Sequence, residues 1–342
     1  MTEVHPRDRF DLQPSPAAEA AFEEARGRDR LHHAWLLTGP EGLGKATFAY
    51  RAARRLLGAA PDPSRGPLGA RPDDPVSRLI SAQSHPDLLV LERLVENGKV
   101  KKSISVDQAR DLPEFFSKSP SQAKARVAII DAADDLNINA ANALLKILEE
   151  PPEHGVLLMV THSPGRLLAT IRSRCRRLSF APWSEAAIRD LLVRRGEVEA
   201  DDADRIAAMA GGSPGAALGL ASAATMEADA LAHRWVSGDG LDRAEALSVA
   251  DGFRGAEGPA KFERIMDRLI AAVKARALSA STTEGQAWAD LWSQLSEVPE
   301  RTAGLNLDRG DALAGALTAL ERTRAVAARA GTMSNAIRGW FD

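Results

Sequence analysis

Over roughly the first half of the chain, short uninterrupted apolar runs alternate with stretches whose apolar residues recur every three to four positions. The runs fall at 34–38, 88–91, 126–131, 156–161 and 177–180. Runs this short, bounded by glycine, proline or charge, have the profile of strands buried on both faces. Between them the helical spacing predicts helices over 46–57, 106–116 and 139–150, the last stopped by Pro151-Pro152. A weaker helical face runs over 17–26. Strands alternating with helices predict a mostly parallel, doubly wound sheet. Residues 58–75 break the pattern with five prolines, three glycines and several charges, which predicts a mobile loop or a disordered insertion.

The texture changes after Pro182. Ser184 is a cap for a helix reaching about Arg195, 202–210 reads as a second helix, and Gly211-Gly212 ends it. Ser213-Pro214 then pairs an N-cap with proline at the first helical position, a strong start signal. From 225 onward the chain is alanine-rich and helical in pattern, with no strand-like alternation. The expected organisation is an α/β domain over 1–182, a small helical lid over 183–224 and an all-α C-terminal domain over 225–342. Trp288, Trp292 and Trp340 are expected to pack that last domain; the first two lie four apart, on one helical face.

Composition narrows the function. With 342 residues, 44% of them hydrophobic, and a net charge of -3, no global basic field points to nucleic acid, so any DNA role runs through partners or local patches. One cysteine, Cys175, excludes an internal disulfide and a cysteine zinc site. The polar N-terminus has no signal-peptide core, and no apolar run approaches the ~20 residues that span a bilayer. These features lead us to expect a soluble cytoplasmic protein without a membrane role. The seven histidines form no ligand-like cluster, so no metal site is expected.

The strongest local signal is Gly39-Pro40-Glu41-Gly42-Leu43-Gly44-Lys45, between a predicted strand and a predicted helix. Such a loop wraps backbone N–H groups and a helix N-terminus around phosphates, with the lysine reaching the outer ones. A working loop then needs a Ser or Thr hydroxyl for Mg²⁺, and here Ala46 stands in that place. Thr47 comes one residue later, turned by ~100° around the helix axis. The strand over 126–131 ends in Asp131, placed to hold a metal-bound water, but Ala132 follows where a base would have to stand. The loop amides and Lys45 remain, which leaves ATP binding without hydrolysis open.

Taken together with His85-Pro86-Asp87, with Asn142-Ala-Leu-Leu-Lys146-Ile-Leu-Glu149-Glu150-Pro151-Pro152 and with Ser173-Arg174-Cys175, this loop resembles the bacterial clamp-loader AAA+ family. Leu167 to Cys175 and Gly212-Ser-Pro-Gly-Ala-Ala217 look most like its non-hydrolysing delta-prime branch. The resemblance implies an AAA+ P-loop domain with a parallel sheet, a helical lid and a C-terminal collar. It also implies a subunit of the DNA polymerase III clamp loader with no catalytic activity of its own. Its partners would be tau/gamma-type ATPase subunits and a delta-type subunit in a hetero-pentamer, with the sliding clamp and primer-template DNA reached through the complex.

In that family the arginine of Ser-Arg-Cys acts in trans on nucleotide bound next door, which assigns Arg174 as an arginine finger. Thr161 falls on the sensor position. The lid arginine of hydrolysing relatives has no counterpart in Gly212-Ser213-Pro214-Gly215, and the four-cysteine zinc module of many relatives is absent from 58–75. Two other readings stand beside this one: an active P-loop ATPase motor subunit and a DNA- or clamp-binding module. The first lacks the metal hydroxyl, the base and the lid arginine. The second lacks a basic surface studded with aromatic residues.

Overall fold

The protein is described by a computed structural model over residues 4–28, 31–96, 99–101, 103–196, 198–238, 242–280 and 282–338. It divides into two compact units, Met1–Gly219 and Leu220–Asp342. Residues 183–219, expected as part of a separate lid, are grouped with the α/β layer by this division.

The first unit runs α1 (Pro16–Gly27), β1 (Ala34–Thr38), α2 (Lys45–Leu56), α3 (Pro75–Ser81) and β2 (Leu88–Glu92). A small hairpin, β3 (Val95–Glu96) and β4 (Lys99–Val100), precedes α4 (Val106–Ser117), β5 (Arg126–Asp131), α5 (Ile138–Glu149) and β6 (Gly155–Thr161). Then come α6 (Ala169–Ser173), β7 (Arg176–Ser179), α7 (Glu185–Arg195), α8 (Ala200–Met209) and α9 (Pro214–Leu220). The predicted parallel sheet is present, with strand order β2-β5-β6-β1-β7. Every pairing in it is parallel, for example Leu36 opposite Met159 and Ile129 opposite Leu158.

Both faces of this sheet are covered, which is why its central strands read as unbroken apolar runs. Trp35, Leu37, Val127, Ile129, Leu158 and Val160 face one way, against Phe22, Phe48 and Phe180. Phe22 lies 4.9 Å from the Trp35 ring centroid and Phe48 lies 5.3 Å from that of Phe180. Leu36, Ala128, Ile130, Leu157 and Met159 face the other way, against Leu112, Leu144, Leu148 and Ile171. Each strand contributes alternate residues to the two cores, as its two-residue period requires.

Residues 58–75 depart from expectation, because they are folded. Leu68 and Ala70 are buried, Asp62 N–H donates to Gly69 O at 2.9 Å, and the Asp74 carboxylate receives Ala60 N–H at 3.1 Å. A Cβ on Gly69 would run into the Asp62 carbonyl, so the turn needs glycine there. The organising group is the Glu19–Arg51 pair, which is buried on both sides. Arg51 Nε and Nη2 meet the two carboxylate oxygens at 2.6 and 2.9 Å. The same arginine also donates to the Phe10 and Arg65 carbonyls, while Leu68 N–H donates to Glu19 at 3.3 Å.

His85-Pro86-Asp87 has a structural use. The fully buried Asp87 carboxylate accepts N–H bonds from Ser121, Gln122 and Ala123 at 2.7, 2.7 and 2.9 Å, and Arg126 stands 3.6 Å away. Burial alone would raise its pKa, but the three N–H bonds and Arg126 outweigh burial and hold the carboxyl below its ordinary value. A depressed folded pKa means that the charged form contributes stability above the unfolded value of ~3.9. That contribution is lost as pH falls through the folded value. Asp87→Asn, which turns an amide donor toward N–H groups, is therefore expected to cost ~2–3 kcal/mol near neutral pH. The gap from wild type should narrow below pH ~4. Urea melts at both pH values measure it, and a pH-independent gap would contradict the charge argument.

The second unit is helical throughout its described residues: α10 (Ala223–Ser237), α11 (Arg243–Asp251), α12 (Gly258–Ser279), α13 (Thr282–Ser296), α14 (Val298–Gly304) and α15 (Arg309–Arg338). Its core joins Trp235, Phe262, Met266, Leu269, Trp288, Leu291 and Leu320. Trp288 is buried as expected. Trp292 is only partly covered, with Lys274 Nζ 5.3 Å from its ring centroid, and Trp340 lies outside the described residues.

Candidate functional site

The glycine-rich loop joins β1 to α2 at the C-terminal end of the sheet, where open α/β sheets place their ligand crevice. Gly44 caps α2 in a left-handed conformation and Lys45 opens the helix. Lys45 is 3% exposed. Its Nζ donates to the carbonyls of Gly39 and Pro40 at 2.6 and 2.5 Å. Burial lowers its pKa to about 8, against the opposing pull of Asp131, Glu41 and Asp134. The cationic head is thus bonded to its own loop.

A cleft of about 540 Å³ lies over this loop, lined by Pro6, Arg9, Lys45, Thr47, Asp131 and Ser213 among others. Thr47 is 2% exposed on its floor. Asp131 ends β5, and burial pushes its carboxyl pKa up; His162 opposes the shift, while the negative charge of Glu92 adds to it. Ala132 offers no base, and Ala46 no hydroxyl. Thr161, at the sensor position, is fully buried, and its Oγ1 donates to Asp134 at 2.6 Å. Asp134 also accepts from His162 N–H at 2.5 Å and Ser163 N–H at 3.3 Å. The threonine therefore clips the end of β6 to the turn after β5.

The lid meets the loop directly, a contact that sequence spacing did not reveal. Gly215 N–H donates to Gly42 O at 2.9 Å, and Ser213 Oγ stands 3.4 Å from Glu41 O. A Cβ on Gly42 would collide with Ser213 Oγ, and one on Gly215 would lie 2.9 Å from Gly42 Cα. Gly42 also has φ +76°, so this glycine is required both by its backbone and by its neighbour. Ser213 caps α9 as predicted, receiving Ala216 N–H at 3.1 Å. The loop and the end of β5 thus carry Ala46 directly after Lys45 and Ala132 directly after Asp131, with Lys45 Nζ bonded to two carbonyls.

Arg174 belongs to a different surface. It caps α6 beside β7, and its side chain is 36% exposed. Nη1 donates to Thr170 O at 3.1 Å, and Nη2 pairs with Glu149 Oε1 at 3.0 Å. Ser173 turns its hydroxyl back to Thr170 O, and Cys175 its thiol to Ile171 O, both at 3.1 Å. Burial raises the Cys175 thiol to about 12, so it stays protonated. Arg176, two residues on, lies over the Trp35 ring at 5.0 Å. Glu149 was visible in sequence only as part of a longer motif; its pairing with Arg174 needed the fold.

The chain is similar in sequence to known proteins. The sequence profile described as DNA polymerase III, delta subunit, matches residues 15–184. Subunit delta' of DNA polymerase III from Pseudomonas aeruginosa is 37% identical over 200 residues, 58% of each chain. Subunit gamma/tau from Mycobacterium tuberculosis is 35% identical over 200 residues, 57% of this chain and 33% of its own length. The match thus spans little more than half of the first of these relatives and a third of the second. Subunit delta' from Escherichia coli is 32% identical over 260 residues, 75% of this chain and 72% of its own. A profile match from α1 to the end of the parallel sheet, and a relative 32% identical and covered over 72% of its length, lead to one placement: the chain belongs to the family of DNA polymerase III delta' subunits.

Proposed function

We propose that the chain is a non-hydrolysing subunit of the DNA polymerase III clamp loader that lends Arg174 in trans to a neighbouring ATPase subunit. The observation that carries this reading is a division of parts within one unit. The P-loop cleft lacks a metal hydroxyl, a base and a lid arginine, while an arginine with spare N–H donors stands exposed in Ser173-Arg174-Cys175 on another surface. A guanidinium fork is permanently charged and matches phosphate oxygens bidentately, which suits charge that develops during phosphoryl transfer. The partners proposed are tau/gamma-type ATPase subunits and a delta-type subunit in a hetero-pentamer acting on the sliding clamp at primer-template DNA, with 225–342 as the collar. A cytoplasmic location goes with that role, and among the described residues no helix is long and apolar enough to cross a membrane.

Two measurements on the isolated protein test the P-loop half of this reading. Steady-state phosphate release with Mg²⁺ should be at background, and turnover near ~1 s⁻¹, within the usual enzyme range, would overturn it. Nucleotide retention without turnover rests on Lys45 and the loop amides. An ATP analogue that binds wild type but not Lys45→Ala would establish it; equal binding by both would remove Lys45 from the site, and no binding by wild type would make the loop a relic.

A further inference from the structure

The motif 142–152 is explained only in part by its apolar face, because Glu149 points out of the core and into an ion pair with Arg174. We propose that Glu149 is a positioning residue for Arg174, fixing the guanidinium so that its unused donors face the neighbouring subunit's phosphate; this rests on the reading of Arg174 as a trans-acting arginine.

The scaffold beneath the pair is rigid. Leu148, next to Glu149, is 3% exposed, and Ile171, three residues before Arg174, is fully buried; both lie in the same core. The two polar groups therefore project from anchored positions on α5 and α6. Glu149 is also the last residue of α5, where the negative end of the helix dipole disfavours a carboxylate. A guanidinium beside it offsets both charges. A guanidinium has five N–H donors. Thr170 O takes one from Nη1, and Glu149 Oε1 holds Nη2 in an ion pair at 3.0 Å, which leaves Nε and the remaining Nη protons for a phosphate. One hydrogen bond and one ion pair remove rotamers from a long side chain that would otherwise sample many, and such preorganisation acts on rate through orientation.

The test uses the reconstituted complex with its ATPase partners, clamp and DNA, reading kcat and KM for ATP. Glu149→Ala is expected to assemble and melt normally and to lower kcat several-fold, at most ~10-fold because the pair is partly exposed and screened by salt. KM should be unchanged. Glu149→Gln should recover much of the rate, since its amide oxygen can accept from Nη2 at the same place. Glu149→Ala combined with Arg174→Ala should be no slower than Arg174→Ala alone. If Glu149→Ala has wild-type kcat while Arg174→Ala is slow, the positioning role fails and the trans-acting arginine stands. A further loss from Glu149→Ala in the Arg174→Ala background would make Glu149 structural and also overturn the proposal. If Arg174→Ala itself is at wild-type rate, the underlying reading fails, and this proposal with it.

Discussion

Arg174→Ala is expected to leave the protein folded and assembled while slowing ATP hydrolysis at the neighbouring subunit's site. Arginine fingers contribute on the order of 10³–10⁵ in rate in well-studied nucleotide hydrolases. The loss measured across a ring should be smaller, because other sites would keep their own arginines. Folding should survive, since the side chain is 36% exposed and its ion pair with Glu149 is partly solvated, a class of interaction that contributes ~0–1 kcal/mol. Arg174→Lys keeps the charge but loses the planar fork, and should rescue poorly. Arg176→Ala is the control. Its guanidinium is exposed over Trp35 at 5.0 Å, so the expected loss is a small cation–π term of ~0.5–1 kcal/mol in stability and little in rate. The measurement is DNA- and clamp-stimulated ATPase of the reconstituted complex, with assembly followed by gel filtration. Full activity in Arg174→Ala, or equal damage from Arg176→Ala, would remove the finger assignment.

The parts of this molecule that sequence made legible are those governed by near neighbours. β1, β5 and β6 announce themselves because a strand covered on both faces must be apolar at every position, as in Ala34 to Thr38, whose five residues are all buried. The glycine-rich loop is legible because phosphate-cradling geometry needs particular residues at fixed short spacing. Residues 58–75 are the counterexample. Their proline and glycine content suggests disorder, yet Arg51, seven residues before the segment begins, reaches the Arg65 carbonyl while holding Glu19. The carboxylate that anchors the segment, Glu19, lies 49 residues before the Leu68 amide it accepts from, so no local window contains it. The lid contact is of the same kind. Gly42 looks like an ordinary turn glycine and Gly215 like a helix residue, and only the fold shows Gly215 packed on the Gly42 backbone and Ser213 on Gly42. Ala46 and Ala132 could be read directly from the sequence, whereas the Glu149–Arg174 pairing required α5 and α6 to be packed together.

The Glu19–Arg51 pair should be the most sensitive point in the first unit's stability. Both side chains are almost wholly buried, at 0% and 3% exposed. Arg51→Met removes the cation and leaves a carboxylate in the interior, still accepting from Leu68 N–H. It also strips donors from the Phe10 and Arg65 carbonyls. Removing one member of a buried ion pair costs ~3–5 kcal/mol, most of it the price of an uncompensated buried charge. For a unit of this size that corresponds to a fall in Tm on the order of 10 °C. The double substitution Glu19→Leu with Arg51→Met removes both charges at similar volume, and should recover most of the loss, since well-packed apolar replacements of buried pairs are often neutral or better. The recovery is expected to be incomplete here, because the two carbonyls stay without the Arg51 donors and Leu68 N–H loses its acceptor as well in the double variant. Thermal melts give the global effect, and hydrogen exchange at the Leu68 amide gives the local one, with faster exchange expected in Arg51→Met. A melting point within a degree of wild type for Arg51→Met would mean that the folded segment 58–75 does not depend on this pair.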